Sequence, residues 1–359
     1  MELVFNPGPT KVHPELSEWL VEAVSLGVTS KHHRSQWFKE LFFETQEKLK
    51  ELANLPKDFR MFVYGCASEI WERAVESIAA RPFFLVLGEF SNKWHFCAQK
   101  MGFPTKFHRG DHTFCEALGA LPIEGCDTFC LVHGETSIGL NLESQDLADF
   151  MTRNRSSYFI LDVVSTFPIA SLDYSLADVL LFSVQKCFCL PAGLGVCLVN
   201  DKAIERATKV HDLRATSGVA SFYFESLFNE QRMTPATPNV LAIWLLNKAV
   251  SKYLKEGLNK IRASTNHKAR LVYDKLTSLG FQPFVSCPDY RSNTVLTFVS
   301  PVDVDKLKDN LRTRGIQVGS GFGAWSSRVI RIANFPSHTE EDFFELFKQI
   351  ERVVLELKN

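Results

Sequence analysis

Four short runs, Thr128–Val132, Tyr158–Asp162, Val179–Ser183 and Gly195–Val199, together with residues 83–87, are apolar almost without a break. A strand with one face in water alternates apolar and polar residues. A strand buried on both faces does not, so runs of this kind predict a mostly parallel sheet covered by helices on each side. Helical spacing separates several of them, as in Ser144–Arg153. The alternation of strand and helix signals predicts an α/β domain. Upstream, Trp37, Phe38, Leu41, Phe42, Leu49 and Leu52 recur at helical period within residues 36–52. Residues 59–63 read as a further strand. The turn Tyr64-Gly65-Cys66-Ala67 follows, with Ser68 as the expected N-cap of a helix running to about residue 80.

Beyond Pro238 the texture changes. Long helical patterns over residues 240–254 and 258–279 precede shorter units: a strand at 294–299, a helix at 304–314, a strand at 328–333 and a helix at 340–357. That order predicts a smaller α+β lobe. The expected division is an N-terminal segment near the active site (residues 1–15), a large α/β domain (16–238) and a small C-terminal domain (239–359).

Charge and composition exclude some functions. Lys plus Arg total 40 against 41 Asp plus Glu, so no net positive field points to nucleic acid or an anionic membrane surface. Apolar residues make up 45% of the chain, enough for a sizeable core, and the 30 Phe fall largely on predicted core faces. The 9 Cys are odd in number and show no repeated C-x-x-C spacing, so no metal centre is expected and reduced, mostly buried thiols are. No apolar stretch approaches the roughly 20 residues of a membrane helix. The first residues, Met1-Glu2-Leu3-Val4-Phe5-Asn6-Pro7, lack the basic-then-apolar order of a signal peptide. A cytoplasmic protein is the expectation.

The most informative segment is Ser183-Val184-Gln185-Lys186-Cys187-Phe188-Cys189-Leu190-Pro191-Ala192-Gly193-Leu194-Gly195. A buried strand ends, a lysine follows, and a Pro-Ala-Gly turn leads into another apolar strand. A lysine at such a place either reaches solvent past the sheet or is a nucleophile whose amine, its pKa depressed, attacks an aldehyde cofactor. The ends of parallel strands are where open α/β sheets hold ligands.

Gln185-Lys186 followed by Pro-Ala-Gly-Leu-Gly resembles the cofactor-lysine segment of the class V aminotransferases that depend on pyridoxal 5′-phosphate (PLP), and most of all their phosphoserine aminotransferase branch. The resemblance runs over nearly the whole chain and implies the type I fold of PLP-dependent transferases. Residue by residue it implies the following roles. Lys186 holds the cofactor aldehyde, and Asp162, in Leu161-Asp162-Val163-Val164-Ser165, pairs with the pyridine nitrogen and keeps the ring an electron sink. Cys66, Ala67 and Ser68 cradle the phosphate at a helix start. Phe90 stands where relatives stack an aromatic ring on the pyridine. Thr136, in His133-Gly134-Glu135-Thr136-Ser137, and Ser165 lie beside the cofactor, and Gln185 contacts its phosphate or ring oxygen. Thr237 and Asn239, in Thr234-Pro235-Ala236-Thr237-Pro238-Asn239, reach the phosphate in the neighbouring subunit, which implies a homodimer with shared active sites. Thr-Pro-Asn is also a plain helix-start signal, so that reading stays open.

On the substrate side, the motif Val329-Ile330-Arg331-Ile332-Ala333-Asn334 makes Arg331 the clamp for the amino-acid carboxylate, a job suited to a planar guanidinium. Arg328, outside the motif, is expected to be solvated. Ser30-Lys31-His32-His33-Arg34-Ser35 resembles the segment that binds substrate phosphate, so Arg34 and His33 are substrate-binding candidates. Asn6-Pro7-Gly8-Pro9 matches the family's opening loop near the substrate. One departure touches specificity. Relatives acting on phosphoserine carry a second His-Arg pair just upstream of the C-terminal Arg, and this chain has Gly323-Ala324-Trp325-Ser326-Ser327 there. The expected activity is a ping-pong transamination between an amino acid and a 2-oxo acid, phosphoserine with 2-oxoglutarate first. The alternatives are an alanine or serine transaminase using glyoxylate or pyruvate, a PLP lyase or desulfurase, and a catalytically lapsed dimeric paralogue. The lyase needs a mobile-loop cysteine, for which Cys187 and Cys189 are too close to the lysine.

Overall fold

In the computed structural model, which describes residues 2–214, 216 and 218–358, seven strands form the large sheet. Their order is Arg60–Tyr64, Gly195–Val199, Val179–Ser183, Tyr158–Asp162, Thr128–Val132, Pro82–Val86 and Lys106–Arg109. All neighbours run parallel except Gly195–Val199, which is antiparallel to both strands beside it. The run of buried residues along every strand but the exposed edge strand Lys106–Arg109 has a direct cause. Phe62, Phe84, Cys130, Ile160, Leu181 and Cys197 join one core, under helices Ala67–Ile78, Glu89–Lys100 and Asp201–Leu213. Their strand neighbours Met61, Phe83, Phe129, Leu161, Leu180 and Val196 join the other, with helices Gln36–Ala53, Ser144–Arg153 and Val240–Glu256. Each side of the pleat meets helices, so neither tolerates polar alternation.

A second sheet of five strands, Leu3–Phe5, Ile316–Ser320, Val329–Ala333, Val295–Val299 and Gln282–Pro283, packs on helices Leu258–Ser278, Val304–Thr313 and Glu340–Lys358. Its first strand comes from the chain's beginning. Leu3, Val4 and Phe5 pair in parallel with Ile316, Gln317 and Val318, which anchors the opening segment in the smaller sheet.

The ladder register sets up one active edge on the large sheet. Val132 lies opposite Asp162, and Gly195 lies opposite both Ser183 and Tyr64. Four strand ends and one strand start therefore meet at the same rim, and the segments that leave them converge there. The helix after Tyr64 begins earlier than its sequence indicates. Cys66, with extended backbone, is the N-cap, and the helix spans Ala67–Ile78. Ser68 is a helical residue in the first turn, not the cap. No side chain caps this helix; the Ala67 N–H is instead accepted by Ser183 Oγ at 3.1 Å, across the sheet rim.

Candidate active site

Lys186 follows the rim strand Val179–Ser183 by three residues, and its ammonium donates to the Pro7 carbonyl. The opening loop can lie this close because residue 8 is glycine. A Cβ at Gly8 would sit 2.3 Å from Lys186 Nζ, and its φ of +154° adds a backbone preference against side chains. Burial, then the nearby Arg331 guanidinium, push the Lys186 amine down to about 8; Asp162 pulls weakly the other way. An amine at that value is largely free base at mildly alkaline pH, as a nucleophile must be. A pH profile follows. The rate at which the apoenzyme captures pyridoxal phosphate is expected to rise about tenfold per pH unit below 8 and level off above it. Stopped-flow absorbance measures this; a rate still climbing toward 10.5, the ordinary lysine value, contradicts it.

Asp162 is buried and carries two fixed hydrogen bonds. Trp71 Nε1 donates to Oδ2 at 2.7 Å and the Val164 N–H donates to Oδ1 at 2.9 Å. Burial pushes its carboxyl up to about 7; the two donors work against that shift, the nearby Glu135 carboxylate adds to it, and Lys186 opposes it weakly. The lysine is thus depressed and the acid raised within one site, the pattern of a pair adapted for proton chemistry.

Glu135 is fully buried, although the family motif points to its neighbour Thr136. Its carboxylate accepts from the Ser91 N–H (2.9 Å), Ser91 Oγ (2.8 Å), the Phe90 N–H (3.3 Å) and Ser137 Oγ (2.5 Å). It closes the start of helix Glu89–Lys100, where a negative charge is favoured, and so fixes Phe90. The Phe90 ring meets Phe322 edge-on with centroids 5.7 Å apart. Phe322 in turn lies 4.5 Å under the Arg331 guanidinium.

Arg331 sits mid-strand in Val329–Ala333, donating through Nε to the Ser320 carbonyl (2.6 Å) and through Nη1 to the Thr136 carbonyl (3.0 Å). Thr136 thus meets the arginine through its backbone. Burial lowers the Arg331 guanidinium to about 10, which leaves it a cation at physiological pH. Pro7 links this strand to the lysine: a Cβ at Gly319, the residue paired with Arg331, would lie 2.7 Å from Pro7 Cδ.

The other candidates separate into two groups. Gln185 flanks the lysine, and its side-chain Oε1 is buried with no hydrogen-bond partner. Ser165 Oγ donates to the Gly134 carbonyl at 3.2 Å, while its own carbonyl accepts from the Cys187 thiol. Cys66, Ala67 and Ser68 form the turn pressed against Gly195, where a Cβ would stand 2.5 Å from the Cys66 carbonyl carbon. Thr237 and Asn239 line a different cavity, about 250 Å³, with Tyr64, Gly65 and Gly193; Lys186 is not among its lining residues. Asn239 also caps helix Val240–Glu256 by accepting the Ala242 N–H at 3.0 Å, so the helix-start reading holds for it. Arg34 is exposed, donates to the Pro235 carbonyl at 3.5 Å and faces Phe228; His33 lies against His32. Arg34 thus packs against the 234–239 segment that carries Thr237 and Asn239. Arg328 is exposed over Trp325, as expected of a solvated residue.

Trp71, Ser183 and Glu135 are the site residues that sequence reading missed. Trp71 reads only as a core aromatic on a helix face, and nothing local shows that its indole N–H meets an acid 91 positions later.

A family model, aminotransferase class-V, matches residues 4–334. The chain belongs to the class V aminotransferases. It is 27% identical to a phosphoserine aminotransferase of Rhodococcus opacus, over 98% of this chain and 95% of the other. A serine–glyoxylate aminotransferase of Methylorubrum extorquens is 24% identical over 92% of this chain and 85% of its own length. Among solved structures, a phosphoserine aminotransferase from Cytophaga hutchinsonii superposes with a TM-score of 0.94 at 28% identity, covering 98% of both chains. The chain has the type I fold of PLP-dependent transferases, and pyridoxal phosphate is the family's cofactor. The residues present fit that group. The amine of Lys186 suits an aldehyde, the buried Asp162 suits a protonated ring nitrogen, and the uncapped helix start beside Gly195 suits a phosphate. The unpartnered Gln185 Oε1 adds a polar atom at the same rim.

Proposed function

We propose that this aminotransferase interconverts phosphoserine plus 2-oxoglutarate with 3-phosphohydroxypyruvate plus glutamate. The observation that carries the transaminase reading is Lys186, just past the end of strand Val179–Ser183 with its amine on the Pro7 carbonyl, at the rim where the buried Asp162 ends the neighbouring strand. Bound pyridoxal phosphate supplies the electron sink for the carbanion at the substrate's Cα. Lys186 Nζ takes the proton from Cα and returns it on the other side of the amino transfer, as base and then acid. Asp162 holds the ring nitrogen protonated. Arg331 clamps the substrate α-carboxylate through the guanidinium edge not committed to Ser320 and Thr136. Phe90, Cys66, Ala67, Ser68, Thr136, Ser165 and Gln185 complete the cofactor's surroundings.

Arg34 packs against the segment that carries Thr237 and Asn239, and those two line a cavity whose lining does not include Lys186, which supports a homodimer in which each subunit completes its partner's site. The phosphate of the substrate would meet Arg34 and His33 from that partner. Lys93, whose ammonium lies 5.5 Å from the Phe322 ring, adds a second cation at the ring that also meets Arg331. The division into a segment 1–15, a large domain 16–238 and a small domain 239–359, a place in serine biosynthesis and a cytoplasmic location complete the proposal; no helix among the described residues is long and apolar enough to cross a membrane.

A second reading rests on the 323–327 segment, which supplies neither His nor Arg. Fewer cations favour a smaller, uncharged side chain, and alanine or serine with glyoxylate or pyruvate meets that description. Single half-reactions followed by cofactor absorbance separate the two. Phosphoserine is expected to exceed serine and alanine in kcat/KM on the order of 100-fold or more. The reverse order establishes the second reading. In either case Arg331→Lys is expected to raise KM for the amino acid roughly 10- to 100-fold with a smaller change in kcat, because a paired charged contact is lost. An unchanged KM would remove Arg331 from the substrate.

A further inference from the structure

Away from the catalytic rim, two thiols meet across the molecule. Cys115 Sγ lies 2.9 Å from Cys287 Sγ, closer than non-bonded sulfurs ordinarily approach, although 172 positions separate them. Cys115 is exposed and Cys287 is half-buried. Cys115 belongs to the loop that leaves the edge strand Lys106–Arg109 of the large sheet. Cys287 belongs to the segment between strands Gln282–Pro283 and Val295–Val299 of the small sheet. The contact is held by its surroundings. The Ser286 N–H donates to the His112 carbonyl at 3.0 Å, Tyr290 Oη donates to the Glu116 carbonyl at 3.3 Å, and the His112 and Phe284 rings stack at 4.3 Å. Both sulfurs are therefore presented to each other by packed neighbours on either side, and little backbone movement is needed for a bond between them.

We propose that Cys115 and Cys287 are a reversible dithiol–disulfide pair that ties the edge of the large sheet to the small one and restrains the loop beside Arg331. The second half follows from Trp325. Its ring packs on both His112 (5.4 Å) and Phe284 (5.0 Å), and three residues earlier in the same loop Phe322 lies under the Arg331 guanidinium. A covalent tie between the two segments that carry His112 and Phe284, on which Trp325 packs, limits how far that loop moves when substrate enters and product leaves. The oxidant is a low-molecular-weight disulfide. One protein thiol gives up its proton, and its thiolate attacks a sulfur of that disulfide and expels a small thiolate. The second protein thiolate then attacks the resulting mixed disulfide and expels the other. Two protein thiols are oxidised to one S–S bond, the small disulfide is reduced to two thiols, and the protons released by the protein pass to them. The hydrogen bond from Cys115 to Cys287 first, with the Asp289 charge a smaller cause, keeps the Cys115 thiol above its ordinary value, so exchange is slow at neutral pH and proximity drives the second step.

The test equilibrates the holoenzyme with glutathione disulfide and glutathione at graded ratios, then blocks free thiols and maps peptides by mass. The expected product is a cross-linked Cys115–Cys287 peptide pair, with the intact protein lighter by about 2 Da and the change reversed by dithiothreitol. The oxidised holoenzyme is expected to show a severalfold lower turnover than the reduced one. Cys115→Ser and Cys287→Ser each keep the turnover of the reduced enzyme and lose the response. Glutathione adducts with no cross-link, or an equal loss of turnover in Cys115→Ser, overturn the pairing. A cross-link that forms with turnover unchanged overturns the restraint on the loop. The peptide map does not depend on the transaminase assignment, so a failure of one leaves the other standing.

Discussion

Lys186→Ala is expected to abolish the yellow colour of the holoenzyme and to lower turnover on the order of 10⁴-fold or more. The side chain has two jobs at one atom: it is the amine that holds the aldehyde, and it is the base that moves the Cα proton. Both depend on Nζ being uncharged part of the time, and burial beside Arg331 lowers it to about 8 for that purpose. The same burial makes the loss of the lysine inexpensive for folding. The protein gives up the desolvation of a cation and one hydrogen bond to the Pro7 carbonyl, so thermal unfolding of the apo variant is expected at or above that of the wild type. A variant that folds and stays yellow would show that another amine holds the cofactor. A variant that does not fold leaves Lys186→Arg, which keeps the cation, to report on chemistry alone.

Asp162→Asn is expected to reduce turnover on the order of 10²- to 10³-fold, because the amide cannot hold the ring nitrogen protonated. It separates catalysis from stability through pH. The wild-type carboxyl has a folded pKa of about 7 against an ordinary 3.8, so the native state binds the proton more tightly than the unfolded chain between those values. Unfolding free energy of the apoenzyme therefore falls as pH rises through that window, by up to a few kcal/mol, and this contribution stops changing above about 7. Asparagine has no such titration. Its single carbonyl oxygen also leaves either Trp71 Nε1 or the Val164 N–H without an acceptor, at about 1–3 kcal/mol, so the difference between the two proteins is the informative quantity. Wild type minus variant should decline from pH 4 to 7 and then stay flat. Denaturant titration at several pH values measures it; a difference independent of pH would mean that the carboxyl is not desolvated.

Much of this architecture was legible in the residues. Runs such as Val179–Ser183 announced a doubly covered sheet, because alternate residues there face two different sets of helices. The helix predicted over residues 36–52 appears as Gln36–Ala53, with Ser35 as its cap. Less visible was the antiparallel direction of Gly195–Val199, since a buried strand carries no mark of its orientation. The strand Leu3–Phe5 was equally silent: three residues give no periodicity, and their partners lie more than 300 positions away. At the site, Lys186 and Arg331 stand out as charges at the end of, or within, an apolar strand, but the roles of Lys186, Asp162 and Arg331 rest on the family resemblance. Ser68 has the residue type and place of a cap, since a serine before a helix usually is one. Here the helix begins at Ala67, whose N–H is turned toward Ser183. Glu135 and Trp71 act through contacts at long range, and such contacts leave no local signal.

Reductive trapping of the cofactor tests the assignment at its centre. Among the described residues two lysines combine burial with an amine lowered to about 8, Lys186 and Lys268, and of these the first lies at the rim with Asp162. The holoenzyme would be treated with borohydride, digested and sequenced by mass. The pyridoxyl label is expected on Lys186 alone. A label on Lys268 or on any other lysine, with Lys186 recovered unmodified, would contradict the assignment of the site.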